Sequence, residues 1–220
     1  MLRARVRDWV FDLDNTLYPL DSTLYDAIGD RMTAYIAATT GLNAEDAVIL
    51  RERYFVEYGA TVVGLVRHHG VDATHFLGDV HNVDQSLVHP DAELRALIQK
   101  LPGRKFVFTN GGGGHPERIL KRLELDDLFD GVFDIEFGGL SPKPERDGYE
   151  RLVAHFGLEP AHTILVEDTL RNLMPADELG FLTALVGPVH PEPRPAYVHH
   201  YAHDVKALLA DFLDIAPASA

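Results

Sequence analysis

The sequence predicts an α/β protein, a parallel sheet flanked by helices with an all-helical insertion after its first strand. Three observations predict it. Short apolar runs bounded by turn residues recur at 6–14, 104–110, 131–137, 163–169 and 182–187, the pattern of strands buried on both faces. Helical periodicity fills the gaps between the last four runs, as crossovers between parallel strands require. Residues 20 to 100, in contrast, hold no convincing strand.

Taken in order, the first run is "VRDWVFDLD" (6–14). "STLYDAIGDRMTAYIAATTG" then carries Ser22 or Thr23 as an N-cap, apolar residues at helical spacing, and Gly41 as a stop. "NAEDAVILRERYFVEYG" repeats the scheme with Asn43 as cap and Gly59 as terminator. Shorter helical pieces cover 61–70 and 72–80, and "HPDAELRALIQKLPG" (89–103) leads back to the second strand. The joints of the insertion fall near 18–20 and 85–92, so residues 1–18 and 96–220 are assigned to the α/β core and 19–95 to the helical part. "RKFVFTN" precedes four glycines, Gly111 to Gly114, and a helix from His115; helices over 143–157 and 170–180 separate the later strands. A proline-rich connection after 187 leads to a last helix over 204–213.

Composition narrows the function. The 220 residues carry 34 acidic and 20 basic side chains, a formal charge of −14. Such a chain is repelled by nucleic-acid polymers and anionic membranes. A small anionic substrate stays acceptable, because a bound divalent cation inverts the local field. The absence of cysteine excludes disulfides, thiolate zinc sites and cysteine nucleophiles. No apolar stretch reaches the length of a membrane helix and no signal peptide is visible, so a cytoplasmic location is expected. The histidine groups at 68–69 and 199–203 lack zinc-helix spacing and are read as surface residues. Oligomeric state is left open.

Ligands of open parallel sheets bind beyond the carboxyl ends of the strands. There the sequence places Asp12, Asp14 and Asn15 after the first strand, Thr109 and Asn110 after the second, Lys143 in the loop after the third, and Glu167 and Asp168 at the fourth. Four carboxylates at one edge repel unless a cation or proton separates them, which points to a hard divalent ion, Mg²⁺. Thr109, with main-chain N–H groups of the next turn, offers donors to phosphoryl oxygens. Lys143, between two prolines, supplies a fixed positive charge. Acids, metal, hydroxyl and ammonium around one tetrahedral anion suit phosphoryl transfer on a small phosphorylated metabolite.

"FDLDNTLYP", "FTN", "KP" and "VEDTLRN" resemble, in order, the four motifs of the haloacid dehalogenase superfamily. The spellings "DNTLYP" and "VEDTLRNL" are similar to its pyrimidine 5′-nucleotidase-like members. The resemblance implies a Rossmann-like core, with the insertion as a mobile cap. It makes Asp12 the nucleophile that forms an aspartyl-phosphate, and Asp14 the general acid and then base. Thr109, Asn110, Gly111, Asn15 and Lys143 become the phosphate-binding set. Asp12, the Asp14 carbonyl, Asp168 and Glu167 (directly or through water) become the Mg²⁺ ligands, with Asn172 in support. A nucleoside 5′-monophosphate is the favoured substrate.

Three alternatives stay open: a sugar-phosphate phosphatase, a phosphoglucomutase-like mutase, and a phosphate-accepting receiver module. Arg31, Arg51, Arg53, Arg67 and Tyr35 are conceivable cap contacts, although solvated helix arginines are the simpler reading. Tyr18 either stacks on a base or packs in the hinge. Of the glycine run, Gly111 alone is expected to share phosphate binding. Gly112 to Gly114 read as a mobile loop, with modest effects expected from Gly112→Ala and Gly113→Ala.

Overall fold

A computed structural model describes residues 6–19, 22–189 and 191–214. The elements run β1 (Asp8–Phe11), α1 (Ser22–Thr40), α2 (Ala44–Tyr58), α3 (Thr61–His69), α4 (Ala73–Val80), α5 (Ala92–Lys100), β2 (Arg104–Phe108), α6 (His115–Arg122), β3 (Gly131–Phe133), α7 (Arg146–Phe156), β4 (Thr163–Glu167), α8 (Leu170–Glu178), β5 (Leu182–Val186), β6 (His200–Ala202) and α9 (Val205–Phe212). The expected joint at residue 20 and the side chain of the expected cap Ser22 lie outside the described residues.

Among the described residues the strands form one sheet in the order β3-β2-β1-β4-β5-β6, every neighbouring pair parallel. The chain starts in the middle and winds outward to each edge in turn. The order therefore reverses between β1 and β4, and a crevice opens beyond their carboxyl ends. Side-chain alternation builds a core on each face. Trp9 and Phe11 pack with Val107, Ile164 and Val166 beneath α5, α6 and α9. Val10 packs with Phe106, Phe108 and Leu165 beneath α7 and α8. Each such side chain contributes about 1.5–3 kcal/mol by leaving water.

Helices α1 to α4 pack on one another around Ile36, Leu50, Tyr54, Leu65 and Phe76. Their ends follow local chemistry: the Asn43 side chain accepts from the Asp46 N–H at 3.0 Å, and α2 stops at Gly59 with φ 77°. Helix α5 belongs with the sheet, since Leu94, Leu97 and Ile98 lie in the core beneath β1. A boundary at 95–96 would thus cut a helix in two, and the self-packed helices end with α4.

Two further expectations are corrected. A sixth strand, β6, occupies the histidine-rich stretch 199–203, where the His199 ring accepts the Thr183 N–H at 3.1 Å. Strand β3 stops at Phe133, and residues 134–140 turn away from the sheet. Glu136, expected on that strand, instead accepts from the Thr74 hydroxyl at 2.6 Å and the Gly113 N–H at 2.7 Å.

The glycine run is a contact surface. A Cβ on Gly113 would lie 2.5 Å from the Gly78 nitrogen and from the Leu77 carbonyl carbon, and one on Gly112 would lie 2.9 Å from Leu77 Cδ1. The backbone of α4 can reach this turn only because no side chains stand there. Gly113 and Gly114 also have φ of 62° and 72°, the left-handed region that costs other residues energy. Arg118 closes the junction, donating to the carbonyls of Gly113 at 3.0 Å and His81 at 3.3 Å. The modest effect expected for Gly113→Ala is therefore revised. Gly70 has the same φ, 62°, but open space around it. Gly70→Ala should cost about 1 kcal/mol and Gly113→Ala about 2–4 kcal/mol, backbone strain plus overpacking, compared by urea denaturation.

Candidate active site

Strand β1 delivers the first two carboxylates just past its end. The Asp12 N–H still bonds the Val166 carbonyl at 2.9 Å, which fixes the register between the β1 and β4 ends. Its carboxylate takes the Lys143 ammonium on Oδ1 at 2.6 Å and the Thr16 hydroxyl on Oδ2 at 3.2 Å. Lys143 is 2 % exposed and also reaches Glu167 Oε1 at 3.3 Å. Reciprocal hydrogen bonds between the Asn110 amide and the Lys143 main chain, at 2.8 and 3.0 Å, hold the lysine loop against the β2 end. The side chain of Asn110 is thus occupied in aiming Lys143. Thr109 is buried, and its Oγ1 accepts from the Gly111 N–H at 2.9 Å, which leaves its proton to donate.

Glu167, buried at the end of β4, takes Lys143 and the Asn172 amide on Oε1 and the Asp168 N–H on Oε2. Oxygens of Asp12, Glu167 and Asp168 lie within 4.8 Å of one another. Burial pushes Glu167 up to about 8, the Asp12 charge adding and Lys143 opposing. Burial likewise raises Asp12 and Asp168, with Lys143 opposing in both. A pocket that disfavours the charged form of three adjacent carboxylates fits a hard divalent cation, which would restore the balance. Asn172 Oδ1, next to them in the chain fold, is buried without a hydrogen-bond partner among the described residues.

Asp14 behaves differently. Two donors converge on its Oδ1, the Tyr18 hydroxyl and His115 Nε2 at 3.2 Å. Burial pushes this carboxyl up, but the His115 and Tyr18 bonds outweigh it and hold it below its ordinary value. Tyr18, expected to stack on a ligand or pack in the hinge, is thus a buried partner of Asp14.

Asp12, Asp14, Glu167 and Asp168 share one cavity of about 300 Å³, which Asn15, Asn110, Gly111, Thr109, Lys143 and Asn172 also line. Its opposite wall comes from the helical unit and is mostly apolar: Tyr25, Ile28, Met32, Phe55, Val62 and Phe76. Arg31 and Arg51 bond Asp79 and Gly29 within that unit, and Arg53 and Arg67 lie over Tyr54 and Tyr58. None of these arginines, nor Tyr35, lines the cavity. The sequence reading passed over His115 and His81, which do line it. His115 carried a usable signal, since it opens the helix after β2 and so falls at the strand-end edge. His81, at the end of α4, carried none.

A family profile described as haloacid dehalogenase-like hydrolase matches residues 9–180, and the chain belongs to that family. "Phosphate metabolism protein 8" of Saccharomyces cerevisiae is 27% identical over 187 residues, which cover 77% of this chain and 58% of that protein. An "Enolase-phosphatase E1" of Xylella fastidiosa is 32% identical over 103 residues, 47% of this chain and 39% of that protein. A "Sesquiterpene phosphatase" of Aspergillus oryzae is 29% identical over 98 residues, 43% of this chain and 50% of that protein. The match thus spans about 39–58% of the length of these relatives. The fold is shared with L-2-haloacid dehalogenase of Xanthobacter autotrophicus (TM-score 0.61, 16% identity, 96% of this chain and 100% of that one). It is shared equally with a phosphatase of Thermococcus onnurineus (TM-score 0.63, 14% identity, 94% and 98%). No helix among the described residues is long and apolar enough to cross a membrane.

The raised Glu167 carboxyl sets a pH signature. It binds its proton more tightly folded than unfolded, so stability present below about 4.5 is lost as pH rises toward about 8. In EDTA, the melting temperature of the wild type should therefore fall between pH 5 and pH 8 relative to Glu167→Gln. A divalent cation should restore it most at pH 8 and should do less for the variant, as read by calorimetry.

Proposed function

We propose that the protein is a Mg²⁺-dependent phosphomonoester hydrolase working through an aspartyl-phosphate on Asp12. The observation that carries this reading is the convergence of Asp12, Asp14, Thr109, Lys143, Glu167 and Asp168 on one cavity at the switch between β1 and β4. Asp12, Glu167, Asp168 and the Asp14 carbonyl would hold Mg²⁺, which when bound neutralises phosphoryl charge. Helices α1 to α4 act as the cap over a core made by the rest of the chain, excluding water from the reacting groups.

Lys143 holds the Asp12 carboxylate in place and balances its charge, while the Thr109 hydroxyl and the main-chain N–H near Asn110 hold the phosphoryl oxygens. Asn15 lines the entrance beside them. An Asp12 oxygen attacks phosphorus as the bond to the ester oxygen breaks, and that oxygen takes a proton from Asp14. The phosphate entering beside Asp14 favours its protonated form by like-charge repulsion, against the hydrogen bonds that lower it in the empty site. The alcohol leaves. Asp14 then takes a proton from water, whose oxygen attacks phosphorus; the bond to Asp12 breaks and inorganic phosphate departs. Asn172 supports Glu167 throughout.

The finer substrate reading is a nucleoside 5′-monophosphate. The motif spelling supports it, and the exposed rings of Tyr25 and Phe55 at the cavity offer faces for a base. A second reading, an apolar alkyl or terpenoid phosphate, is favoured by the run of Ile28, Met32, Val62 and Phe76 along the same wall. A sugar phosphate or a mutase substrate would find few hydroxyl partners on the cap side. The Asp12–Asp14 pair after β1 with acids recurring at the end of β4, and the helical insertion after β1, also favour turnover over a receiver module.

Phosphate release from nucleotides, sugar phosphates and alkyl phosphates tests this. Turnover should fall at least about a thousandfold in Asp12→Asn and about a hundredfold in Thr109→Ala, and should stop in EDTA. Activity surviving Asp12→Asn would overturn the mechanism, and a preference for sugar phosphates would overturn the substrate reading.

A further inference from the structure

His115 Nε2 lies 3.2 Å from Asp14 Oδ1, and because an ionised carboxylate only accepts, that nitrogen carries a proton. Gln85 Nε2 lies 3.2 Å from the His115 Nδ1. The His81 ring stacks on the His115 ring, centroids 4.5 Å apart and planes 21° from parallel. His81 is held in turn by its own Nδ1, 2.9 Å from the Leu77 carbonyl. His115 is 1 % exposed and His81 6 %. Burial, with His115 adding, pushes His81 down to about 4, so its ring is neutral and sits against His115 without adding charge. Arg118 ties the His81 carbonyl to the α6 side.

His115 therefore stands between two parties. On one side is Asp14, at the end of β1. On the other are residues 81–85, which directly follow α4. Tyr18 and His115 both bond Oδ1, and no described residue donates to Oδ2. The carboxylate is thus pinned by one oxygen, with the other left for the reacting group.

We propose that His81 and Gln85 are positioning residues that clamp His115, and through it hold Asp14 in the orientation that protonates the leaving oxygen. Because the clamp arrives with the end of α4, seating of the helical unit on the glycine turn completes the acid site. A cap that stood away would leave His115 without its stacking partner and its Gln85 bond. Asp14 would then be held by Tyr18 and an unclamped His115. The inference rests on the reading of Asp14 as general acid.

The reaction itself supplies a readout that a structural role would not move. Protonation of the leaving oxygen matters greatly for an alkoxide and little for a stable phenolate. The value of kcat/KM covers steps up to departure of the alcohol or phenol, and leaves out hydrolysis of the aspartyl-phosphate. It is measured for propyl phosphate and p-nitrophenyl phosphate with the wild type, His81→Ala, His81→Phe, Gln85→Ala and Asp14→Asn. Asp14→Asn should lower kcat/KM for propyl phosphate at least about a hundredfold more than for the aryl ester. His81→Ala should show the same split at about tenfold, Gln85→Ala a smaller split in the same direction, and His81→Phe should recover most of the loss by restoring the stacked ring. Equal losses on both esters, or no loss on either, in His81→Ala and Gln85→Ala would overturn the clamp while leaving Asp14 as the acid. The absence of a split in Asp14→Asn would overturn the reading beneath it. Gln85→Ala, which empties no buried ring, keeps the test open if His81→Ala folds poorly.

Discussion

The site depends on one buried ammonium held among carboxylates. Lys143 pairs with Asp12 and Glu167 in a region whose burial disfavours the charged form of both carboxylates. Its loop is tied to the β2 end by Asn110, so an ordinary surface residue type becomes a fixed internal charge. One ammonium does not balance Asp12, Glu167 and Asp168 together, and the residual repulsion appears as raised carboxyl affinity for protons. Such an imbalance costs the metal-free chain stability. It is also what makes the pocket receptive to a divalent cation and then to a phosphate.

Asp14 is set apart from that cluster by its partners. Only a few residues from Asp12, it faces Tyr18 and His115 instead of Lys143. Two carboxylates from the same strand end thereby receive opposite environments, one pushed up by burial and like charge, the other held down by hydrogen bonds. In the proposed mechanism, divergence of this kind lets a nucleophile and an acid–base group coexist at one phosphorus. The helical unit enters through the same contacts. Its apolar wall closes the cavity, its α4 backbone rests on glycines, and the residues after α4 reach the partner of Asp14.

Much of this was legible in the residue order. Apolar runs ending in acidic, polar or small residues located β1, β2, β4 and β5, and the strand-end rule placed Asp12, Asp14, Thr109, Lys143, Glu167 and Asp168 at one edge before any coordinates. Strand β6 was missed because its three residues, His200, Tyr201 and Ala202, are half-buried at a sheet edge and form no apolar run. The glycine run was misread for a different reason. Glycine reports only that a side chain is absent, and flexibility and close approach leave the same letters. Which applies at Gly113 depends on the Gly78 backbone that faces it, from a segment distant in sequence.

By itself, then, the sequence determined the parallel α/β plan, the helical insertion and the set of polar residues gathered at the strand ends, because periodicity and strand-end chemistry are local properties. Tertiary structure decided which carboxylate pairs with Lys143, which with His115, and that His81 joins the site. Those assignments arise from distances between β1, α4 and α6, and no local pattern encodes the packing that brings them within hydrogen-bond reach.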